Sequence, residues 1–291
     1  GGEWQDMRPP RDPADPAGTD ERTDAFDTVA WLLANVAGNN GRAGMWGISY
    51  DGWQTAMAMS EAHPALVAVS PQASPGDMFV GDDIHHNGAF RLSYSFAWIG
   101  FMAAERGAAD AAEIRALLRQ DSYAFFRAAG NLVAIEERYF RGRVPEWSEI
   151  LAHPDRDEFW ARRNVVALLD DVRPAALHVA GWFDAEDFRG PLDIYRAAER
   201  GDDDARNSLV IGPWRHGGWS PGVQGRGESL GALSFDQPTA EWYQDEVELP
   251  FFARHLDGRD EPKGPEVRAF ETGANAWREY EHWPPPASAP R

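Results

Sequence analysis

The chain has 291 residues, 43% of them hydrophobic and 12% aromatic, enough apolar material for a large core and too much for a disordered chain. Its 28 Lys and Arg against 47 Asp and Glu leave a net charge of -19, which argues against nucleic acid or an anionic membrane as a partner. Zero cysteines exclude a thiol nucleophile, a zinc-thiolate site and a disulfide framework.

Gly1 to Gly18 is rich in Pro, Gly, Asp and Arg and reads as a loop. Thr23 to Asn35 follows with helical periodicity, Phe26, Val29, Ala30 and Leu33 on one face, and Thr19 or Asp20 placed to cap it. A short strand over Arg42 to Trp46, a helix from Gly52 to Ala62 and a strand over Leu66 to Ser70 make a β-turn-α-β unit. Between strand and helix lies Gly47-Ile48-Ser49-Tyr50-Asp51-Gly52, which reads as a nucleophile elbow. Such a turn lifts a serine hydroxyl clear of the sheet, where a base can take its proton. Gly47 stands two positions before Ser49, but the second glycine is three after it, with Asp51 in the usual glycine place. The bland alternative is a Gly-rich loop with a capping serine.

Residues from about Asp83 to Asp170 lack strand signals and carry helical stretches such as Ala108 to Leu118 and Tyr123 to Ile135, as expected of an inserted helical cap. Ala176 to Ala180 is a short apolar strand running through Gly181-Trp182-Phe183 to Asp184. A helix over Pro191 to Arg200 and a strand over Leu209 to Ile211 lead through Gly212-Pro213-Trp214-Arg215 to His216. The order Ser49, Asp184, His216 is that of an α/β-hydrolase, with each residue just past a strand. Thr239 to Leu256 reads as a final helix, after which Val267 to Phe270 and Trp277 to Tyr280 are β-like and Pro284 to Arg291 is Pro-rich.

Together with Gly81-Asp82-Asp83, Trp182-Phe183-Asp184-Ala185-Glu186-Asp187, Gly212-Pro213-Trp214-Arg215-His216 and Glu271-Thr272-Gly273-Ala274-Asn275-Ala276-Trp277-Arg278, the elbow resembles the α-amino-acid ester hydrolases. These belong to a wider group with the cocaine esterase, the glutaryl acylases and the X-prolyl dipeptidyl peptidases. The resemblance runs through nearly the whole chain and covers the spacing of the second glycine. It implies a mostly parallel α/β-hydrolase core over residues 1–82 and 171–262, a helical cap over 83–170, and the start of a C-terminal jelly roll over 263–291. Only about one strand precedes the elbow, fewer than this fold expects, so the chain reads as a fragment.

The resemblance further implies cleavage of esters and amides of α-amino acids, with acyl transfer to β-lactam nuclei. It makes Ser49 the nucleophile, His216 the general base and Asp184 the carboxylate that orients it. The backbone N–H of Tyr50 becomes one oxyanion donor, while the tyrosine that supplies the other lies upstream of the elbow in the family. The tyrosines here begin at Tyr50, so that donor is missing, and the loss of one donor costs on the order of a hundredfold in rate. Asp83, Glu186 and Asp187 match the carboxylates that hold a substrate's α-ammonium group. From the residues alone, the preferred reading is that Glu186 and Asp187 cap the next helix and that Asp82 and Asp83 lie in solvent.

No cofactor motif or metal-ligand spacing is found, and neither a cofactor nor a metal is expected. The expected partner is a small-molecule substrate, an amino acid ester or a β-lactam, and a homo-oligomer stays open. No run of about twenty apolar residues predicts a transmembrane helix. Family resemblance suggests the periplasm or secretion and leaves the cytoplasm open, since a chain beginning at Gly1 is compatible with a removed leader.

Overall fold

A computed structural model describes residues 7–15, 17–105, 110–117, 119–201, 206–259 and 263–286. Parts of the expected N-terminal loop (1–6 and 16), of the helix expected over 108–118 (108–109 and 118) and of the Pro-rich end (287–291) lie outside these residues. The chain divides into two compact units, residues 9–77 with 164–291 and residues 1–8 with 78–163.

The first unit is built on a six-stranded sheet whose strands lie in chain order: β1 (Ala43–Ile48), β2 (Leu66–Gln72), β3 (Ala175–Gly181), β4 (Asn207–Gly212), β5 (Val267–Glu271) and β6 (Ala276–Tyr280). The first five pair in parallel, and β6 turns back antiparallel on β5. This is the mostly parallel sheet of an α/β-hydrolase core. All seven residues of β3 are buried, as expected of a parallel strand covered on both faces. The two C-terminal strands correct an expectation. Val267–Glu271 and Ala276–Tyr280 do not open a separate jelly-roll domain but extend the central sheet, β5 pairing with β4 through Leu209–Val267 to Ile211–Ala269.

Helix α1 (Glu21–Asn35) starts at Asp20, whose side chain accepts from Thr23 N while Thr23 Oγ1 accepts from Asp20 N, a reciprocal cap. Its expected apolar face is only partly covered, since Val29 is buried and Phe26 is exposed. Helix α2 (Tyr50–Ser60) buries Trp53, Ala56, Met57 and Met59. Helix α3 (Arg189–Glu199) packs on β3 and β4, with Tyr195 joining Ala180, Leu209 and Ile211 in one buried cluster. The run from Thr239 to Asp257 is helical throughout but opens into π-turns at Gln244–Glu248 and Ala253–Asp257. Pro250 explains the first of these, because it lacks an N–H and its ring crowds the preceding turn.

In the second unit, helices Leu92–Glu105, Ala111–Leu117, Ser122–Ala129, Leu132–Ile135, Pro145–Ala152 and Glu158–Ala161 fit the expected helical character. Phe96, Phe140 and Trp147 pack at its centre, with ring centroids 5.4 and 5.2 Å apart for the pairs Phe96–Phe140 and Phe140–Trp147. Strand signals were not expected here, yet His85–His86 and Ala89–Phe90 form a hairpin whose turn, Asn87-Gly88, has positive φ at both residues.

Candidate active site

Ser49 immediately follows β1, Asp184 comes three residues after β3, and His216 four after β4, so the parallel sheet delivers all three to its carboxyl edge. Ser49 adopts φ 66° and ψ -125°, a backbone conformation that costs a residue with a side chain about 1–3 kcal/mol. Its N–H donates to Gln72 O at 2.9 Å, and its own carbonyl accepts from Trp53 N at 2.9 Å, which fixes the turn between strand and helix.

The glycine spacing has a steric cause. A Cβ on Gly47 would lie 2.4 Å from Asp51 O, and one on Gly52 would lie 2.4 Å from Gln72 O. Position 52, one helical residue later than usual, is where α2 passes closest to the end of β2, while Asp51 is exposed and needs no glycine. Tyr50 opens α2, so its N–H belongs to the first helical turn, where backbone donors point outward from the helix N-terminus.

The loops carrying Asp184 and His216 are joined by backbone. β3 and β4 end level, with Gly181 opposite Gly212; Trp182 N then donates to Gly212 O at 2.9 Å and Phe183 N to Trp214 O at 3.0 Å. Asp184 has a fully buried side chain, and its Oδ1 accepts from Glu186 N at 2.8 Å and Asp187 N at 3.0 Å. Its other oxygen, Oδ2, lies 2.9 Å from His216 Nδ1. Asp184 rather than Glu186 or Asp187 thus caps this turn; α3 begins after Phe188 with no side-chain cap, which removes the bland reading of the two acids. His216 adjoins the elbow by packing, since a Cβ on the next residue, Gly217, would touch Ile48 Cγ2 at 3.7 Å.

Of the carboxylates expected to hold an ammonium group, Glu186 and Asp187 lie on the Asp184 loop. Asp187 is 1% exposed, while the Glu186 side chain keeps 41% of its surface and places Oε2 3.6 Å from His216 Nε2. Asp83 belongs to the other unit, where it is buried rather than solvated and its Oδ1 accepts from Tyr94 Oη at 2.7 Å.

One residue that supports the elbow escaped the sequence reading. Gln72, at the end of β2, is wholly buried; besides accepting from Ser49 N, it accepts from Trp219 Nε1 at 2.7 Å and donates to Glu248 Oε1 at 2.7 Å. Tyr243 Oη shares that Glu248 oxygen at 3.0 Å, and burial, together with the nearby Glu248 charge, raises the phenol well above its ordinary range. A glutamine closing an otherwise apolar strand beside the elbow was the available signal.

Residues 2–218 match the family described as X-Pro dipeptidyl-peptidase (S15 family). The chain is 28% identical over 287 residues to the cocaine esterase of Rhodococcus sp. (strain MB1 Bresler), covering 93% of this chain and 47% of that protein. Among solved structures it resembles an α-amino acid ester hydrolase labelled with selenomethionine, at 32% identity and TM-score 0.85, over 97% of this chain and 45% of that one. It also resembles an aminopeptidase from the marine sediment archaeon Thaumarchaeota archaeon, at 33% identity and TM-score 0.84, over 97% and 46% of the two chains. The chain spans about half the length of the curated relatives it matches.

Proposed function

The chain belongs to the X-Pro dipeptidyl-peptidase (S15) family, and on that premise we propose that the protein is a serine hydrolase cleaving esters and amides of α-amino acids. The observation that carries the reading is the buried Asp184 carboxylate 2.9 Å from Nδ1 of His216, on loops at the same sheet edge as the strained Ser49. Ser49 Oγ attacks the substrate carbonyl carbon while His216 Nε2 takes its proton. Asp184 keeps the Nδ1 proton in place and stabilises the resulting imidazolium. The tetrahedral oxyanion is met by the N–H of Tyr50, and His216 returns the proton to the leaving group as the acyl-enzyme forms. Water, activated by the same histidine, releases the acid; a β-lactam amine in its place gives acyl transfer.

The substrate class rests on the acid loop. A protonated α-amine is one bond beyond the carbonyl carbon's neighbour, so a substrate seated on Ser49 carries its charge close to the reacting centre. Glu186 and Asp187, two and three residues past the triad carboxylate, are suited to hold it by charge-assisted hydrogen bonds. The similarity to a cocaine esterase favours, as a second reading, the same chemistry on esters other than those of α-amino acids. Hydrolysis of phenylglycine methyl ester by the parent and by Ser49→Ala tests the mechanism: loss of turnover in the variant supports it, and an unchanged rate contradicts it.

A further inference from the structure

Ser49 and His216 follow β1 and β4, which are separated in the sheet by β2 and β3. A tie between the two runs through Gln72 at the end of β2. Its carbonyl oxygen accepts from Ser49 N at 2.9 Å, while its side-chain Oε1 accepts at 2.7 Å from Nε1 of Trp219, three residues past His216. One residue thus holds the nucleophile by its backbone and the base loop by its amide. Earlier in that loop, Trp214 O accepts at 3.0 Å from the N–H of Phe183, the residue before Asp184. In sequence His216 therefore stands between two buried tryptophans, one tied to the acid loop and the other to the residue that holds the elbow.

The Gln72 amide has only one orientation that satisfies its neighbours. Nε2 donates to Glu248 Oε1 at 2.7 Å and to Ser70 Oγ at 2.9 Å, and Ser70 Oγ gives its own proton to Leu177 O at 2.7 Å. A flipped amide would set its oxygen against a carboxylate and its N–H groups against the Trp219 N–H. The next residue, Ala73, has φ 40° and is held there by its N–H on Val179 O at 2.9 Å, so the backbone at the strand end is fixed as well. We propose that Gln72 is a positioning residue for the reaction, setting through Trp219 where the His216 imidazole stands relative to the Ser49 hydroxyl. The inference rests on the reading of Ser49 and His216 as nucleophile and base.

The test is saturable labelling by a neutral alkyl fluorophosphonate, in which Ser49 Oγ bonds to phosphorus, the serine proton passes to His216 Nε2, the P–F bond breaks and fluoride leaves. Trp219→Phe removes the tying N–H and keeps an aromatic ring, and Gln72→Met removes the amide at similar length. In either variant, at a temperature where circular dichroism shows it folded, the limiting labelling rate is expected to fall roughly ten- to a hundredfold, the cost of a small misplacement of a catalytic group, with the half-saturating reagent concentration unchanged. The double variant is expected to be no slower than the slower single one, because both substitutions break the same bond. A Gln72→Met that fails to fold leaves the decision to Trp219→Phe. A folded Trp219→Phe labelled at the parent's limiting rate overturns the proposal and leaves the triad standing, as do losses that multiply in the double variant. A parent that is not labelled contradicts the reading of Ser49 and His216, and the proposal with it.

Discussion

Asp184 Oδ2 lies 2.9 Å from His216 Nδ1, while the same carboxylate, through Oδ1, caps the turn that carries it. One side chain therefore both shapes its own loop and fixes the histidine tautomer. Asp184→Asn keeps the size of the group but turns one of its oxygens into a donor, so the ring loses its acceptor at Nδ1. The expected result is a fall in kcat of roughly 10^3- to 10^4-fold with little change in melting temperature, read from steady-state ester hydrolysis beside a thermal melt.

The elbow leaves no room at Gly52. In Gly52→Ala the new methyl group would stand 2.4 Å from Gln72 O, and both α2 and β2 are tied to Ser49, so the clash displaces the nucleophile. Overpacking of this kind costs about 1–3 kcal/mol. A lower urea midpoint together with slower labelling of Ser49 is expected, whereas Asp51→Ala, at an exposed position, leaves the midpoint within error.

Acid sensitivity should arise in the sheet. His178 on β3 is fully buried with Nε2 2.7 Å from Asn207 Oδ1, and burial lowers its pKa to about 4, against an ordinary 6.5. The native state then binds fewer protons than the unfolded chain between these values. Stability from this group is complete above pH 6.5 and is lost as pH falls toward 4, by roughly 3 kcal/mol at most. Urea midpoints for the parent and His178→Gln should converge across that interval; curves that stay parallel would show that His178 does not titrate there.

A second buried network responds in the other direction. Tyr195 Oη donates to Glu266 Oε1 at 2.5 Å, and Glu199, at the end of α3, has its pKa raised to about 7 by burial and by the neighbouring Glu266. A raised carboxyl stabilises the fold below its ordinary pKa of 4.5, and that contribution disappears as pH climbs to about 7. Glu199→Gln, neutral at every pH, is expected to be more stable than the parent above pH 7, by on the order of 1 kcal/mol after solvent screening. Chemical denaturation at pH 5 and pH 8.5 checks the sign.

Much of the site was legible because strand, turn and reactive residue are adjacent in sequence. Gly47-Ile48-Ser49 after an apolar run, Asp184 after β3 and His216 after β4 each carry a local signal, and their chain order supplied the rest. The sequence could not show why the second glycine stands at Gly52, since the obstacle is Gln72 O on another strand. Nor could it place β5 beside β4, a parallel pairing set by contacts far apart in the chain, and so the last two strands read as a new domain. The contact between Glu186 and His216 was likewise hidden, because it depends on how the two loops fold over one another.

The central claim, an active serine with an ammonium-selective acid loop, is tested most directly by kcat/KM for phenylglycine methyl ester against phenylacetic methyl ester, which differ only in the ammonium group. A marked preference for the amino ester that collapses in Glu186→Gln is the predicted result. Equal values for the two esters, unchanged by the substitution, would contradict the account and leave a general esterase.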